Sequence, residues 1–172
     1  FVEVALDPTA RVRLLAGIRF DYFSRFDRAT VDPRVSLTAR LHPRLTLRAG
    51  LGTYSTPPRG YAVLRGFGNP DLTPERWLHA ALGAVWEPVS GLLEASADVF
   101  VKQGDDVVSP STRVVQEADG PRPLRYEIRG DARVTGVELF ARLRPGRWPV
   151  FAQLAYTWQR ALRRDGVEAP WY

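Results

Sequence analysis

Strict alternation over unusually long stretches constrains this chain more than any other feature. From residue 12 to 22 every second position is apolar (Val12, Leu14, Ala16, Ile18, Phe20, Tyr22), and Arg13, Arg19 and Asp21 stand between them. Residues 31–42 set Val35, Leu37, Ala39 and Leu41 against Ser36, Thr38, Arg40 and His42. After Pro43-Arg44 come Leu45, Leu47, Ala49 and Leu51, opposed by Thr46, Arg48, Gly50 and Gly52. The same pattern returns at Leu78–Trp86, Leu93–Val101, Thr135–Leu143 and Ala152–Trp158. A period of two is the signature of a strand with one apolar face. The count predicts an all-β antiparallel meander of about eight long strands, the first lying over residues 1–6.

Two further regularities narrow the fold. The predicted connections alternate between short (7–10, 43–44, 87–91, 144–149) and longer (26–30, 55–73, 104–123, and the tail from 163). Membrane barrels distribute turns and loops to their two rims in this way. The strands also run to about ten residues or more, where soluble sheets favour about five or six and a tilted membrane-spanning strand needs about 9–11. One parity is rich in Leu, Ala and Val, with Tyr22, Trp86, Tyr156 and Trp158 toward strand ends, as a lipid-facing surface with an aromatic girdle requires. A soluble β-sandwich is the alternative, since its strands alternate too.

Composition excludes several classes. With no cysteine, the chain has no disulfide framework, thiolate nucleophile or cysteine metal site. The net charge of +5 is carried almost wholly by arginine, Lys102 being the only lysine, and it is spread along the chain rather than gathered on one face. That distribution speaks against nucleic acid as a partner. No apolar run reaches the length of a membrane helix. His42 and His79 lack metal-ligand spacing. Asp105, Asp106, Glu117 and Asp119 match no calcium loop. There is no Gly-x-Ser-x-Gly elbow, and Gly50-x-Gly52 and Gly66-x-Gly68 precede no helix. The residues point to no enzyme, no metal and no cofactor.

Residues 66–75 read Gly-Phe-Gly-Asn-Pro-Asp-Leu-Thr-Pro-Glu. Its glycines and prolines forbid a helix or a central strand. In Asn69-Pro70-Asp71-Leu72-Thr73-Pro74-Glu75 the chain resembles the Asn-Pro-x-Leu-x-Pro-Glu element of TonB-dependent outer-membrane receptors. Four further stretches, in the same order, resemble that family's C-terminal barrel. They are Asp32-Pro33-Arg34-Val35-Ser36-Leu37, the strand 45–54 with Thr56-Pro57-Pro58, Thr135-Gly136-Val137-Glu138-Leu139, and Ala155-Tyr156-Thr157-Trp158. The resemblance covers essentially the whole chain. It implies a part of a 22-stranded barrel in the outer membrane of a Gram-negative bacterium, surrounded by outer-membrane lipid. It further implies an N-terminal plug domain, partnership with the TonB complex, and uptake of a scarce ligand such as an iron–siderophore complex or cobalamin. Residues 1–172 are accordingly read as one partial barrel domain, with the plug and terminal strands outside it. A complete small structural or adhesive outer-membrane barrel is the second alternative, permitted by length alone; the sandwich alternative would be carbohydrate-binding.

Candidate site residues follow. Asn69, Pro70, Asp71, Leu72, Pro74 and Glu75 mark a structural re-entry into the sheet, where proline is tolerated. Arg59, Tyr61, Arg65 and Phe67 would suit an anionic or catecholate-bearing ligand, or else simply pack the loop. Arg19, Asp21, Arg40, Arg48, Glu94, Asp98, Lys102, Glu138 and Arg142 share the polar parity and are expected to face the lumen, meeting a plug or ligand path or pairing across strands. Residues 165–172 are expected to form a loop whose aromatics lie on no alternating strand.

Overall fold

The computed structural model describes residues 1–89, 91–117, 120–146, 149–166 and 168–172, apart from the Glu117 side chain. The main sheet takes eight strands in the order β1 (Val2–Thr9), β2 (Val12–Phe23), β3 (Arg28–His42), β4 (Leu45–Thr56), β5 (Glu75–Val89), β6 (Leu93–Pro110), β9 (Tyr126–Leu143) and β10 (Ala152–Arg164). All its pairings are antiparallel. A two-stranded ribbon, β7 (Val114–Glu117) with β8 (Gly120–Pro123), sits between β6 and β9. A 3₁₀ turn covers Gly60–Val63. β1 and β10 are the two edges of the sheet and do not pair with each other, so these strands do not close into a small barrel.

The register carries the parity argument across the sheet. One cross-strand row joins Leu6, Leu14, Leu37, Ala49, Leu82, Val99, Val137 and Trp158. The next joins Val12, Ala39, Leu47, Ala84, Ala97, Leu139 and Tyr156. No core covers these rows: Leu82 is 56% exposed and Trp158 52%. A β-sandwich would bury this face against a second sheet; here it is bare. Apolar contact with lipid is the physical circumstance in which such a face is stable.

The apolar band runs obliquely to the rows. On β2 its loop-side margin is Tyr22; on β10 it is Trp158, followed by Arg160. Trp158 lies in the row through Leu14, and Tyr22 is eight residues beyond Leu14. The margin therefore drops four rows, about 26 Å at about 3.3 Å per residue, while crossing six strand spacings, about 29 Å at about 4.8 Å each. The slope is about 40°, within the tilt of about 35–45° at which strands of membrane barrels cross the bilayer.

The opposite parity is mixed: it also carries Leu15, Val85, Phe100, Val134 and Phe140. One expectation needs correction: residues 104–123 are not one loop. β6 and β9 keep pairing out to Pro110 and Tyr126 across register shifts at Val107, with Asp106 at φ 57°. That bulge resets the alternation, which hides the continuation from a period count. The tail is a loop as expected, with no strand among its described residues, but its last residue touches the sheet. Tyr172 exchanges both backbone hydrogen bonds with Arg163, each 2.9 Å, as an antiparallel partner does. Of the acidic group in the loop, Asp105 and Asp106 belong to β6, while Asp119 lies outside the described residues, as do Ser90 of the turn 87–91 and Val167 of the tail.

Asp32 shows how a sheet margin is secured. It is 4% exposed, and its carboxylate accepts bonds from the Ser55 amide (2.9 Å), the Ser55 hydroxyl (3.0 Å) and the Thr53 hydroxyl (3.2 Å). The ladder between β3 and β4 stops at Arg34 and Gly52, so these bonds continue it by side chain. Asp32→Ala is expected to cost about 2–3 kcal/mol, because it strands an amide and two hydroxyls. Urea titration of the folded protein, compared with Asp32→Asn, measures it; equal midpoints would remove Asp32 from this role.

A candidate ligand mouth on the loop side

The core of the molecule lies beneath the loops rather than in the wall. Ala62, Val63 and Leu72 are 2–3% exposed and pack against Phe26, Val108, Tyr126 and Ile128. The turn-rich stretch makes this possible. Asn69 donates its amide backbone to Ala62 O (2.7 Å), and the close crossing leaves no room for a side chain at Gly68, where a Cβ would strike the Ala62 carbonyl.

Two polar residues of the motif, Asn69 and Glu75, tie this loop to the β6–β9 extension. Asn69 Nδ2 donates to Tyr126 O (3.1 Å), and its Oδ1 accepts from Asp71 N (3.0 Å) in an Asx turn. Glu75 Oε1 accepts from Val108 N (2.8 Å), at the β6 bulge, and Oε2 from Trp77 Nε1 (3.3 Å). Leu72 fills the space below. Pro70 and Pro74 flank these contacts, Pro74 directly before β5 begins.

Beside this core lies a cavity of about 540 Å³, lined by Arg59, Tyr61, Glu75, Trp77, Tyr126, Arg163 and Tyr172 among others. Of the four residues singled out from sequence, Arg59 and Tyr61 line it. Phe67 stands behind Tyr126, 6.4 Å between ring centroids, with the Arg125 guanidinium 4.7 Å over its face. Tyr61 meets Tyr126 edge-on at 5.8 Å. Arg65 is separate, in a cleft with Gly66, Pro70, Asp71 and Arg122. Tyr126 and Arg163 were not foreseeable, since their approach depends on the pairing beyond the bulge. Trp77 left a signal, an aromatic on the polar parity next to the loop.

Arg163 is held rather than loose. It donates to Val108 O (2.5 Å) and to the Ser109 hydroxyl (3.2 Å), and pairs with Asp165 at 2.9 Å. Burial acts to raise the Asp165 pKa, but hydrogen bonds from Tyr172 and Arg163 outweigh it and hold the carboxyl below its usual value. It stays ionised, which leaves Arg163 oriented.

The nine charges of the polar parity share one face, opposite the apolar rows. Arg19 pairs with Asp21 (2.6 Å), and Glu94 with both Arg142 (2.9 Å) and Arg144 (2.8 Å). Arg48 on β4 reaches Asp98 on β6 across β5, with Nε–Oδ1 at 2.8 Å. Gly83 lies between them, and a Cβ there would run into the Asp98 carboxylate. Lys102 Nζ stands 5.3 Å from the Phe100 ring centroid. Arg40 and Glu138 take part in no salt bridge among the described residues. His42 accepts the Arg44 amide at a turn and His79 stacks on Tyr54 at 4.4 Å, both structural contacts.

Against known proteins, residues 1–171 match the family model described as TonB dependent receptor-like, beta-barrel. No curated protein matches by sequence. Among solved structures, the siderophore receptor PirA from Acinetobacter baumannii superposes with a TM-score of 0.72 at 21% identity, over 94% of this chain and 26% of that one. The FrpB iron transporter from Neisseria meningitidis (F3-3 variant) gives 0.72 at 18%, over 96% and 26%. The outer membrane transporter YddB from Escherichia coli gives 0.71 at 17%, over 89% and 23%. The chain thus spans about a quarter of the length of these proteins.

Proposed function

We propose, from the premise that the chain belongs to the TonB-dependent receptor-like β-barrel family, that it is part of the wall and ligand mouth of an outer-membrane uptake receptor. The family is one of receptors and transporters, not enzymes. In this reading residues 1–172 are one portion of a larger barrel. The apolar rows meet outer-membrane lipid, and the charged face looks into a lumen occupied by a plug domain. Energy for uptake comes from the TonB complex, and the long-loop side is extracellular.

The observation that carries the proposal is the loop-side cavity. It combines Arg59, Arg163 and three tyrosines with Trp77, on the charged side of a wall whose other side is bare and apolar. Aromatic faces and guanidinium forks together suit an anionic, aromatic-bearing ligand such as a ferric siderophore. Cobalamin is the other candidate cargo. Arg59 and Tyr61 are exposed, and Tyr61 touches the loop core only at its edge, through the Tyr126 ring. In the full-length receptor, Arg59→Gln with Tyr61→Ala is expected to lower uptake about tenfold or more, the worth of a charge-assisted contact. The probes are radiolabelled ferric catecholate and hydroxamate siderophores and cyanocobalamin, with surface protein held equal. Uptake of none of these by the wild type, or equal uptake by the variant, would overturn the proposal.

A further inference from the structure

The outward face changes character abruptly at the loop-side margin of β9 and β10. Just above Trp158 on the same parity stand Arg160 and, on the neighbouring strand, Arg133. Arg160 is registered with Thr135 and Arg133 with Leu162, so the two arginines are diagonal neighbours, about 7–8 Å apart at the backbone. Both are exposed, and neither takes part in a salt bridge among the described residues. The carboxylates of that parity on either side are already engaged: Asp131 on β9 by Arg164, Nε–Oδ2 2.6 Å, and Asp105 on β6 by Gln103, 3.2 Å. Arg164 in turn lies 5.0 Å over the Trp171 ring. Elsewhere on the margin the polar groups are answered: Tyr22 on β2 by Asp27 (2.8 Å), Gln103 on β6 by Asp105 (3.2 Å), and the single arginine of β5, Arg76, by the Val31 carbonyl and Thr53 hydroxyl (3.5 Å each).

Two like charges on adjacent strands repel unless something anionic lies between them. Here the uncompensated pair stands directly above an aromatic and the apolar band. A molecule that fits both must carry phosphate at one end and acyl chains at the other. We propose that Arg133 and Arg160 form a binding site for the phosphorylated headgroup of an outer-leaflet glycolipid, whose acyl chains lie along Trp158, Val137 and Tyr156. A guanidinium fork grips a phosphate through two parallel bonds, and two forks at this spacing can hold one phosphate from both sides. The site rests on the membrane reading given above, and is independent of which ligand the receptor imports.

The test titrates the full-length receptor, in detergent, with bis-phosphorylated lipid A and follows bound lipid by native mass spectrometry. Arg133→Gln and Arg160→Gln are each expected to weaken binding about fivefold, and together about 25-fold. Arg113→Gln, an exposed loop arginine away from the margin, should leave it unchanged. On the wild type alone, lipid A with both phosphates removed should bind about 25-fold more weakly, as the double variant does, and millimolar inorganic phosphate should not displace the lipid. Unchanged binding in the double variant, an equal loss in Arg113→Gln, equal affinity for the two lipids, or displacement by free phosphate would each overturn the site. Membrane fractionation checks the underlying reading separately: a receptor that does not sediment with the outer membrane removes that reading, while one that does and fails the titration removes only the lipid site.

Discussion

Leu82→Arg should cost the folded protein about 2–4 kcal/mol in a bilayer, the penalty for arginine at mid-depth on a lipid face. Leu82 sits in the middle of the apolar band, flanked in its row by Ala49 and Val99, with no basic or acidic residue on its parity from Leu78 to Trp86. The matched control is Thr157→Arg, on the other face of β10 and directly opposite Glu138. That arginine would gain a carboxylate partner and should change stability by less than about 1 kcal/mol. Urea-dependent folding of the full-length receptor into phosphatidylcholine vesicles separates the two. Equal tolerance of both substitutions would mean that the apolar rows do not face lipid.

Leu72→Ala should act on a different part of the molecule by a different mechanism. Leu72 is 2% exposed in the small core beneath the loops, and truncating a buried leucine costs about 2–5 kcal/mol. The wall does not depend on that core, because its strands are held by their ladders. The cost should therefore appear as local opening of residues 57–74 and 111–125, with the barrel intact. Trypsin reads this directly, since Arg59, Arg65, Arg113, Arg122 and Arg125 lie in those segments. Faster cleavage there, with unchanged heat-modifiable mobility of the barrel, is the expected result. An unchanged cleavage rate would show that the loop is not braced through Leu72.

These two residues also mark what could be read from the chain beforehand. The wall was legible because a strand imposes its period on the sequence: Leu78, Ala80, Leu82 and Ala84 announce one face without reference to any partner. The motif around Leu72 was legible only as turn chemistry. What it braces is set by contacts 33 to 57 residues away, Glu75 with Val108 and Asn69 with Tyr126, and local composition carries no trace of them. The bulge at Val107 had the same effect on the cavity. It breaks the alternation, so the extension that brings Tyr126 to Tyr61 looked like a loop. Arg65 did not join Arg59 and Tyr61; it lines a separate cleft with Gly66, where the chain turns through positive φ. Sequence proximity in a turn says little about where side chains point.

The inclination of the apolar band has a mechanical consequence. Leu6 and Trp158 occupy one unbroken rung of hydrogen-bonded strands, yet Leu6 is the last outward apolar residue before the turn on β1, and Trp158 the last before the outward arginine, Arg160, that interrupts the band on β10. A single rung is therefore a ramp from one water boundary to the other. Side-by-side partners are not at equal depth, and a displacement at the loop-side rim of β10 can travel down backbone bonds alone to the turn-side rim of β1.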